Sequence, residues 1–384
     1  MNLLEQSPVY VVGVGLHPYQ HRSDTSYVQL GVTAVRHALA DAGLAWTDVQ
    51  AAYIGTALLG MGGGRVMLSR LGATGIASQQ VENASASGST AVAMAALEVA
   101  SGRSEVALAV GVDKPGGGAP APSRAGIENL EGGTIVPFTH FALLAADYQH
   151  RHGVSDEQVA RVALKNHANG ALNPYAQRRR ARTLEEILAE PISGSLTRLQ
   201  CCPVGEGAAA VLVASPEGIR RLGLDQRRAV RILSSVTRSE GRYPPGAGID
   251  AELTRQTASA AFEEAGVAAT EIDLLELHDA FSIEELLYTE AMGLCGEGEA
   301  AGRLAAGEFD IGGRCAVSAS GGLLAMGHPI GPTGAGQIVE LTRQLRGEAG
   351  ARQHPRHRLG AAHMVGVGAV CVVHVLAAPP GAAQ

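Results

Sequence analysis

Four short stretches of the sequence carry side chains that could do chemistry. VENASASGS (81–89) puts Ser85 where small residues lead into an Ala-rich apolar helix. A serine at a helix start either caps free backbone N–H groups or acts as a nucleophile beside them. The other three stretches are HDAF (278–281), SASGGLLAMGHPIGPTGAGQ (318–337) and AHMVGVGAV (362–370). The residue types suggest one site that combines a hydroxyl, two imidazoles and glycine-flanked backbone N–H groups.

The two histidines differ in how strongly their surroundings point to a site. His278 follows the apolar strand IDLLEL, and ligands bind beyond strand ends in open α/β sheets. A histidine there can equally be a hydrogen-bonded core residue, and that alternative stays open. His328 lies between Gly327 and Pro329, which fix a loop and let a ligand approach closely. Phe281 and Met326 lie beside these histidines, so both are candidates for contact with a substrate.

Composition restricts the class of protein. The chain has 384 residues, 46% of them hydrophobic, and a formal charge of -7. That length favours two domains or two fused halves. The mild acidity argues against nucleic-acid binding. No apolar run approaches the roughly 20 residues of a membrane helix, and the N-terminus lacks the features of a secretory signal. We therefore expect a cytoplasmic protein that binds neither nucleic acid nor membranes.

The five cysteines do not predict a metal site or a disulfide framework. They are Cys201, Cys202, Cys295, Cys315 and Cys371. Their number is odd, and the adjacent pair at 201–202 has no second pair to complete a zinc site. We expect reduced thiols that serve as small core residues, and no metal.

A β-α-β pattern occurs twice and predicts a duplicated α/β chain. Residues 9–15 and 231–236 read as strands, each followed by a helix that ends in Ala-Gly. The two Ala-Gly helix ends, at 42–43 and 265–266, lie 223 positions apart. We expect an N-terminal half at 1–227 and a C-terminal half at 228–384.

A less regular insertion is expected at about 114–204, within the first half. It begins with the Pro/Gly-rich KPGGGAPAPS and approaches its end with the basic run at 178–182. That run is either a solvated helix face or an edge that binds a phosphate.

Taken in order, the four stretches resemble the thiolase superfamily, in its sterol-carrier-protein-type, lipid-transfer-protein branch. The resemblance covers essentially the full length. It implies a thiolase fold: two βαβαβαββ halves in five α-β-α-β-α layers, with a loop-domain insertion. Central helices starting near Ser85 and after His328 would lie between two five-stranded sheets.

The resemblance assigns roles to individual residues. Asn83-Ala-Ser85 matches the loop that carries the family's nucleophilic cysteine, so Ser85 stands in the cysteine's position, and Asn83 would contact the substrate. His278 and His328 would stabilise an enolate, His328 also activating the nucleophile. The backbone N–H groups of Ser85 and Gly366 would bind the tetrahedral oxyanion. Met364 replaces a cysteine of the last loop and would line the substrate site.

Two departures affect the chemistry that the family implies. Thiolases cleave a 3-oxoacyl-CoA through an acyl-cysteine, with coenzyme A as a substrate and no permanently bound cofactor. Ser85 is a weaker nucleophile than a thiolate. Ala280 and Met364 leave no second thiol, so a proton must move through His278, His363, Asp279 or water. Of these, Asp279 reads better as a structural hydrogen-bond partner.

Three interpretations of Ser85 therefore stay open. It is an introduced substitute for cysteine in a thiolase, which performs thiolysis or the reverse Claisen condensation. It belongs to a retro-aldol enzyme that cleaves a 3-hydroxyacyl-CoA without an acyl-enzyme. Or the chain is a non-catalytic subunit that binds acyl-CoA or lipid. The retained histidines speak against the last of these. We expect thiolysis of a 3-oxoacyl-CoA first, which makes the chain an acyltransferase of lipid metabolism, a β-ketothiolase.

Assembly is the last expectation. Residues 71–81 carry no charge, and an apolar loop precedes them. Contiguous apolar surface of this kind marks an interface, which predicts a homodimer through residues 55–85. The resemblance also implies a possible small partner subunit with an OB fold and a zinc ribbon.

Overall fold

The computed structural model describes residues 3–116, 137–243, 248–366 and 369–381. In these ranges the α-helices are α1 (Leu3–Gln6), α2 (Tyr27–Ala42), α3 (Gly63–Leu68), α4 (Ser87–Ala100), α5 (Pro137–His152), α6 (Asp156–Ala171), α7 (Leu184–Leu188), α8 (Pro216–Leu222), α9 (Ile249–Ala265), α10 (Ser282–Ala291), α11 (Ala300–Ala305), α12 (Gly322–Ala325) and α13 (Thr333–Leu345). The strands are β1 (Val9–Gln20), β2 (Ala51–Gly55), β3 (Ala77–Val81), β4 (Val106–Asp113), β5 (Pro191–Ser193), β6 (Leu196–Thr197), β7 (Glu206–Ala214), β8 (Val230–Ser239), β9 (Leu274–Glu276), β10 (Ala316–Val317), β11 (Leu359–Gly366) and β12 (Val370–Ala377).

Ten of these strands form one sheet in which the same pattern occurs twice. The strand order is β10-β9-β11-β12-β8-β1-β7-β4-β2-β3. In each half, the second strand in chain order pairs in parallel with both its sheet neighbours. The remaining two pairings of each half are antiparallel. The fold is therefore the expected thiolase fold of two duplicated halves.

The two halves join differently from the two separate sheets that were expected. Residues 9–11 of β1 pair antiparallel with residues 230–232 of β8. This short ladder links the two five-stranded halves by hydrogen bonds into one sheet. The domain limits at 227 and 228 stay a prediction.

The helices α4 and α13 pack against each other and against strands of both halves. Two glycines allow that close approach. A Cβ on Gly88 would lie 2.4 Å from the carbonyl oxygen of Gly331, and one on Gly334 would lie 2.1 Å from Ser89 Oγ. Because a real Cβ cannot come so close, any side chain at either position would separate the helices. The loop with Ser85 leads into the first turn of α4, and the loop with His328 leads into the first turn of α13.

Local signals in the sequence set several helix ends. α2 and α9 end at Gly43 and Gly266, with φ of 70° and 68°, a left-handed conformation that glycine adopts without strain. Ser155 accepts the N–H of Gln158 and caps α6. The strand expected at IDLLEL, residues 272–277, is shorter, because β9 spans only Leu274–Glu276.

The insertion packs on the second half. Tyr148 of α5 and Ile187 of α7 are fully buried in a core shared with α9 and α10. Most of the Pro/Gly-rich stretch at 114–123 lies outside the described residues.

Candidate active site

The Ser85 loop connects β3 to α4 through a fixed turn. Ala84 has a φ of 47°, which is uncommon for a residue with a Cβ. The Ser87 hydroxyl donates to the Ala84 carbonyl at 2.6 Å and accepts the N–H of Asn83 at 2.9 Å. These bonds hold Ser85, which is half-buried, just before the 14-residue helix α4. Ser85 therefore has the fixed position that a reacting or ligand-binding hydroxyl needs.

The His328 loop brings its imidazole directly to this serine. Ser85 Oγ lies 2.9 Å from His328 Nε2. The loop is held from the first half, because the N–H of Gly331 donates to Asp113 Oδ2 at 2.7 Å. The predicted pairing of Ser85 with His328, 243 residues apart, is present in the structure.

The hydroxyl behind His328 decides which ring nitrogen carries the proton. His328 Nδ1 lies 2.9 Å from Thr333 Oγ1. Thr333 is buried, and within the described residues its hydroxyl has no hydrogen-bond partner other than His328. If Thr333 donates its hydroxyl hydrogen to Nδ1, as a buried hydroxyl without another acceptor would, the proton of the neutral ring lies on Nε2. Nε2–H is then a donor to Ser85 Oγ or to an oxygen that replaces it.

The ring of His328 is neutral at physiological pH. Burial, and secondarily the neighbouring His278, holds the pKa of His328 well below its usual range. A neutral imidazole with Nε2–H donates a hydrogen bond without first losing a proton. This arrangement suits a group that stabilises developing negative charge.

The second imidazole has the opposite arrangement. His278 Nδ1 lies 3.0 Å from Glu284 Oε1. An ionised carboxylate only accepts hydrogen bonds, so beside an ionised Glu284 a neutral His278 ring would carry its proton on Nδ1 and leave Nε2 bare. His278 Nε2 is buried and has no hydrogen-bond partner in the described residues. The rings of His278 and His328 meet edge to face at 5.4 Å, with 89° between their planes. The two imidazoles therefore lie side by side, and one ring nitrogen of His278 is free of hydrogen bonds within the described residues.

Gly366 completes the wall beside Ser85. It lies at the end of β11, where a Cβ would be 2.2 Å from the carbonyl oxygen of Asn83. Only glycine fits this contact. The Asn83 amide itself donates to Thr90 Oγ1 at 3.0 Å and holds α4. The proposed oxyanion role of the Gly366 N–H stays a prediction.

The structure places the three other predicted contact residues at different depths. Phe281 is half-buried and stacks on Phe141 of α5, with ring centroids 4.4 Å apart. Met364 is fully buried beneath the start of α4, against Ala86. Met326 is buried in the core, where its sulfur accepts from Asn173 Nδ2 at 3.2 Å. Contact of these side chains with a substrate stays a prediction, and Phe281 is the most accessible of them.

The two other groups considered as proton carriers are held in the interior. Asp279 is fully buried, and its carboxylate accepts the N–H of Leu323 and the amide of Asn166, both at 2.7 Å. His363 is fully buried and lies 2.9 Å from the Thr254 hydroxyl. Burial, and secondarily His278, lowers the pKa of His363 to about 3. Both side chains have the contacts of structural residues.

None of the cysteines offers an activated thiol. Burial raises the pKa of Cys201 to about 11 and of Cys295, Cys315 and Cys371 to about 12, and it raises the pKa of Cys202 further. Cys201 and Cys202 both adjoin the HDAF loop, since Cys201 bridges to Phe281 and the N–H of Cys202 donates to the Ala280 carbonyl at 2.8 Å. The cysteines therefore do not supply a thiolate nucleophile to the site.

The basic run at 178–182 has a structural component. Arg178 is partly buried and donates to the carbonyl oxygens of Cys201 and Leu324 at 3.0 and 2.9 Å. Arg180 and Arg182 pair with Glu186. These contacts account for three of the four arginines without a ligand.

Three residues of the site were not identified from the sequence: Glu284, Thr333 and Asp113. Glu284 and Thr333 follow their histidines by six and five residues, but helix starts at Ser282 and Thr333 were needed to place them. Asp113 acts 218 residues away from its partner Gly331. Its position at the end of a buried strand was the one available signal.

The described residues lack a membrane-spanning helix and a cluster of metal-ligating side chains. No helix in the described ranges has both the length and the apolar character needed to cross a bilayer. Nor do these ranges contain a group of three or more His, Cys, Asp or Glu side chains that could hold a metal ion.

Known proteins match this chain along its length. The family description "Thiolase, N-terminal domain" matches residues 9–183, and "Thiolase C-terminal domain-like" matches residues 248–377. Sterol carrier protein 2 of Gallus gallus is 36% identical over 99% of this chain and 73% of that protein. Benzoylsuccinyl-CoA thiolase subunit BbsB of Thauera aromatica is 34% identical over 94% of this chain and 95% of that subunit.

Solved structures show the same architecture. The Ltp2-ChsH2(DUF35) aldolase has a TM-score of 0.83 and 26% identity, covering 97% of this chain and 98% of that chain. Human mitochondrial 3-ketoacyl-CoA thiolase has a TM-score of 0.75 at 18% identity, covering 98% of this chain and 100% of that chain. The second likeness concerns the fold alone.

Proposed function

Because this chain belongs to the thiolase family, we propose that it breaks or forms a carbon–carbon bond of a CoA thioester by aldol chemistry. The substrate class is a 3-hydroxyacyl-CoA, cleaved without an acyl-enzyme. The observation that carries this proposal is the pair of neighbouring imidazoles with different partners, His278 against a carboxylate and His328 against a hydroxyl. Aldol cleavage needs one base and one donor to an enolate, and it needs no nucleophile.

The proposed cleavage needs only the substrate and the two histidines, which account for every proton and electron pair. His278 Nε2 takes the proton of the substrate's 3-hydroxyl, and the C2–C3 bond breaks as C3 becomes a carbonyl. The electron pair of that bond passes to the thioester as an enolate, whose oxygen accepts a hydrogen bond from His328 Nε2–H. The proton on His278 then returns to C2. The products are an aldehyde or ketone and a shortened acyl-CoA, and no oxidant or further cofactor takes part.

The thiols support this reaction over thiolysis. Thiolysis needs a nucleophile activated as a thiolate, whereas residue 85 is a serine and burial raises the pKa of every cysteine. The Ltp2-ChsH2(DUF35) aldolase, at 26% identity, adds support from a relative that is itself called an aldolase. The choice of a CoA thioester is supported by benzoylsuccinyl-CoA thiolase subunit BbsB, a relative at 34% identity that is named for such a substrate.

Thiolysis of a 3-oxoacyl-CoA is the second candidate, and one contact favours it. Ser85 Oγ and His328 Nε2 are 2.9 Å apart, the separation of a serine and its general base. If the chain derives from a cysteine enzyme, Ser85→Cys restores CoA-dependent cleavage and introduces an iodoacetamide-sensitive thiol. A Cys variant with an inert thiol and no thiolysis would remove this candidate.

Product analysis separates the candidates. The protein is incubated with aliphatic, aromatic and steroid-derived 3-hydroxyacyl-CoAs, and any carbonyl product is trapped with a hydrazine. The matching 3-oxoacyl-CoAs are supplied with free CoA in parallel. We expect a trapped carbonyl from the first series and no CoA-dependent cleavage in the second. Thiolysis with an acyl adduct on Ser85 would contradict the proposal. Tight CoA-thioester binding without turnover would favour a non-catalytic binding subunit.

We also propose a homodimer through the exposed edge of the sheet. β3 is the last strand of the sheet, and residues 77–80 are exposed. Met61 is fully exposed nearby in the chain, and Val66 is 43% exposed. An unpaired edge strand beside apolar side chains favours pairing with a second copy. Light scattering at low micromolar concentration tests this, and Ile76→Asp should yield monomers.

A small partner subunit and a cytoplasmic location complete the proposal. BbsB is described as a subunit, and the Ltp2-ChsH2(DUF35) aldolase is named for two components. We therefore propose a partner with an OB fold and zinc ribbon, and the assays above are run with and without candidate partners. The five free cysteines are compatible with a reducing compartment.

A further inference from the structure

We infer that Glu284 is a positioning residue that fixes the protonation of His278 and thereby makes His278 Nε2 the base of the site. The inference rests on the proposed aldol chemistry for its functional meaning. It assigns a role to a residue outside the sequence-derived site. It also gives a physical reason why two neighbouring histidines act in opposite directions.

The hydrogen bonds of Glu284 fix the orientation of its side chain. Its side chain is 1% exposed and projects from the first turn of α10. Oε2 accepts the N–H of Phe281 at 2.8 Å, while Oε1 accepts the Tyr288 hydroxyl at 3.1 Å. Oε1 also faces His278 Nδ1 at 3.0 Å. The N–H of Phe281 can only donate, so Oε2 must accept. The contacts of Glu284 are therefore those of a carboxylate that accepts a hydrogen bond from each of its neighbours.

No other fully buried histidine of the described residues has a carboxylate within hydrogen-bonding distance. His363 lies against a threonine hydroxyl and His374 against the Ser89 carbonyl at 3.2 Å. His354 Nδ1 accepts the N–H of Gly312 at 3.0 Å. Each of these rings has only a neutral partner. His278 is distinguished by a partner that must accept and that can stabilise a positive ring.

The charge on Glu284 acts twice in the proposed reaction. Before the proton transfer, it holds the hydrogen on Nδ1, so the lone pair of Nε2, an atom without a hydrogen-bond partner in the described residues, is free to accept a proton. After the transfer, the imidazolium of His278 is ion-paired with Glu284 in a buried environment, where charge–charge attraction is strong. A neutral amide at position 284 could do neither reliably, because its NH₂ group can turn towards Nδ1 and reverse the tautomer.

Nitrogen NMR of the imidazoles tests the inference without reference to turnover. The protein is labelled with ¹⁵N-histidine, and the signals of His278 are assigned by their loss in His278→Gln. We expect wild-type His278 to show a protonated Nδ1 and a bare Nε2. In Glu284→Gln this pattern should be lost, while in Tyr288→Phe, which keeps the carboxylate, it should persist. Gln can still accept the N–H of Phe281, so the helix start is retained.

A kinetic measurement accompanies the spectra. Acetyl-CoA in D₂O is the probe, and exchange at its methyl carbon reports enolate formation. Glu284→Gln should lower the exchange rate by about 100-fold or more, as removal of an imidazole-orienting carboxylate does elsewhere. Tyr288→Phe should stay within about tenfold, the upper effect of one hydrogen bond, because the carboxylate is kept.

The outcomes separate this inference from the proposed function. If wild-type His278 carries its proton on Nε2, the inference is overturned, whether or not the variants fold. It is also overturned if Glu284→Gln keeps both the Nδ1–H pattern and the exchange rate and loses only melting temperature, since Glu284 would then be a helix cap. A wild type with the expected tautomer but no exchange would uphold the role of Glu284 in setting the tautomer and contradict the aldol reaction instead.

Discussion

In the first half of the molecule, β2 leads to Thr56, whose hydroxyl donates to Asp113 at the end of β4. In the second half, the corresponding strand β9 leads to His278, and the strand corresponding to β4 ends at Gly366. Asp113 also accepts the N–H groups of Ala57 and Leu58, both at 2.9 Å. His278 Nε2, by contrast, has no partner among the described residues.

The difference shows how one duplicated frame serves two purposes. Strand ends of the first half satisfy one another, so their polar groups hold the structure. Strand ends of the second half leave a bare nitrogen and a close glycine contact, so their polar groups are available to a ligand. The halves are also linked, because Asp113 holds Gly331 of the His328 loop. The first half therefore positions the chemistry that the second half supplies.

Removing an imidazole should have the largest effect on activity. His328→Ala and His278→Ala each delete a group that meets developing charge, a loss of about 100- to 1000-fold in turnover. Binding of CoA thioesters should change far less. The exposed His150→Ala is the control and should be unaffected. Steady-state rates with a cleaved 3-hydroxyacyl-CoA check this, and a well-folded variant with normal turnover would make that histidine structural.

Removing Asp113 should affect stability most. Asp113→Ala leaves up to four buried donors without their acceptor, at a cost of about 1–3 kcal/mol each if they stay unsatisfied. We expect a loss of about 3 kcal/mol or more in the free energy of unfolding, measured in urea, together with reduced turnover. The exposed Asp24→Ala should stay within about 0.5 kcal/mol. An equally small loss of unfolding free energy in Asp113→Ala would show that the contrast between the halves does not extend to stability.

A pH effect should come from Glu276, at the end of β9. Burial, and secondarily the charge of Glu340, raises the pKa of Glu276 to about 8. A carboxyl whose pKa is raised by folding stabilises the protein most below its unfolded pKa of about 4.3. That contribution is lost as the pH rises towards 8, at up to about 1.4 kcal/mol per unit.

Glu276→Gln tests this directly. Ser320 donates its N–H to Glu276 Oε1 at 2.9 Å, and a glutamine reproduces the protonated acid there. Unfolding of the variant between pH 5 and 8 should therefore depend less on pH than that of the wild type. Glu185→Gln, at an exposed residue, is the control. Identical slopes for the wild type and Glu276→Gln would show that Glu276 does not titrate differently on folding.

The sequence predicted those parts of the fold and site that depend on local signals. The Ala-Gly repeats at 42–43 and 265–266 both end helices, because a left-handed glycine is a local preference. The pairing of Ser85 with His328 came from the order of four stretches and their family resemblance. The join of the two halves through β1 and β8, and the tie from Asp113 to Gly331, depend on distant backbone. Glu284 could not be identified because its orientation depends on where α10 starts.

The central claim is that carbon–carbon chemistry here runs through two imidazoles and not through an acyl-serine. Ser85→Ala tests it most directly, by turnover of a cleaved 3-hydroxyacyl-CoA and by intact-mass analysis of the wild type during turnover. We expect Ser85→Ala to keep its activity within about tenfold, the upper effect of losing one hydrogen bond to His328, and we expect no acyl adduct on the wild type. A loss of about 10⁴-fold or more, with an acyl group on Ser85 of the wild type, would contradict it.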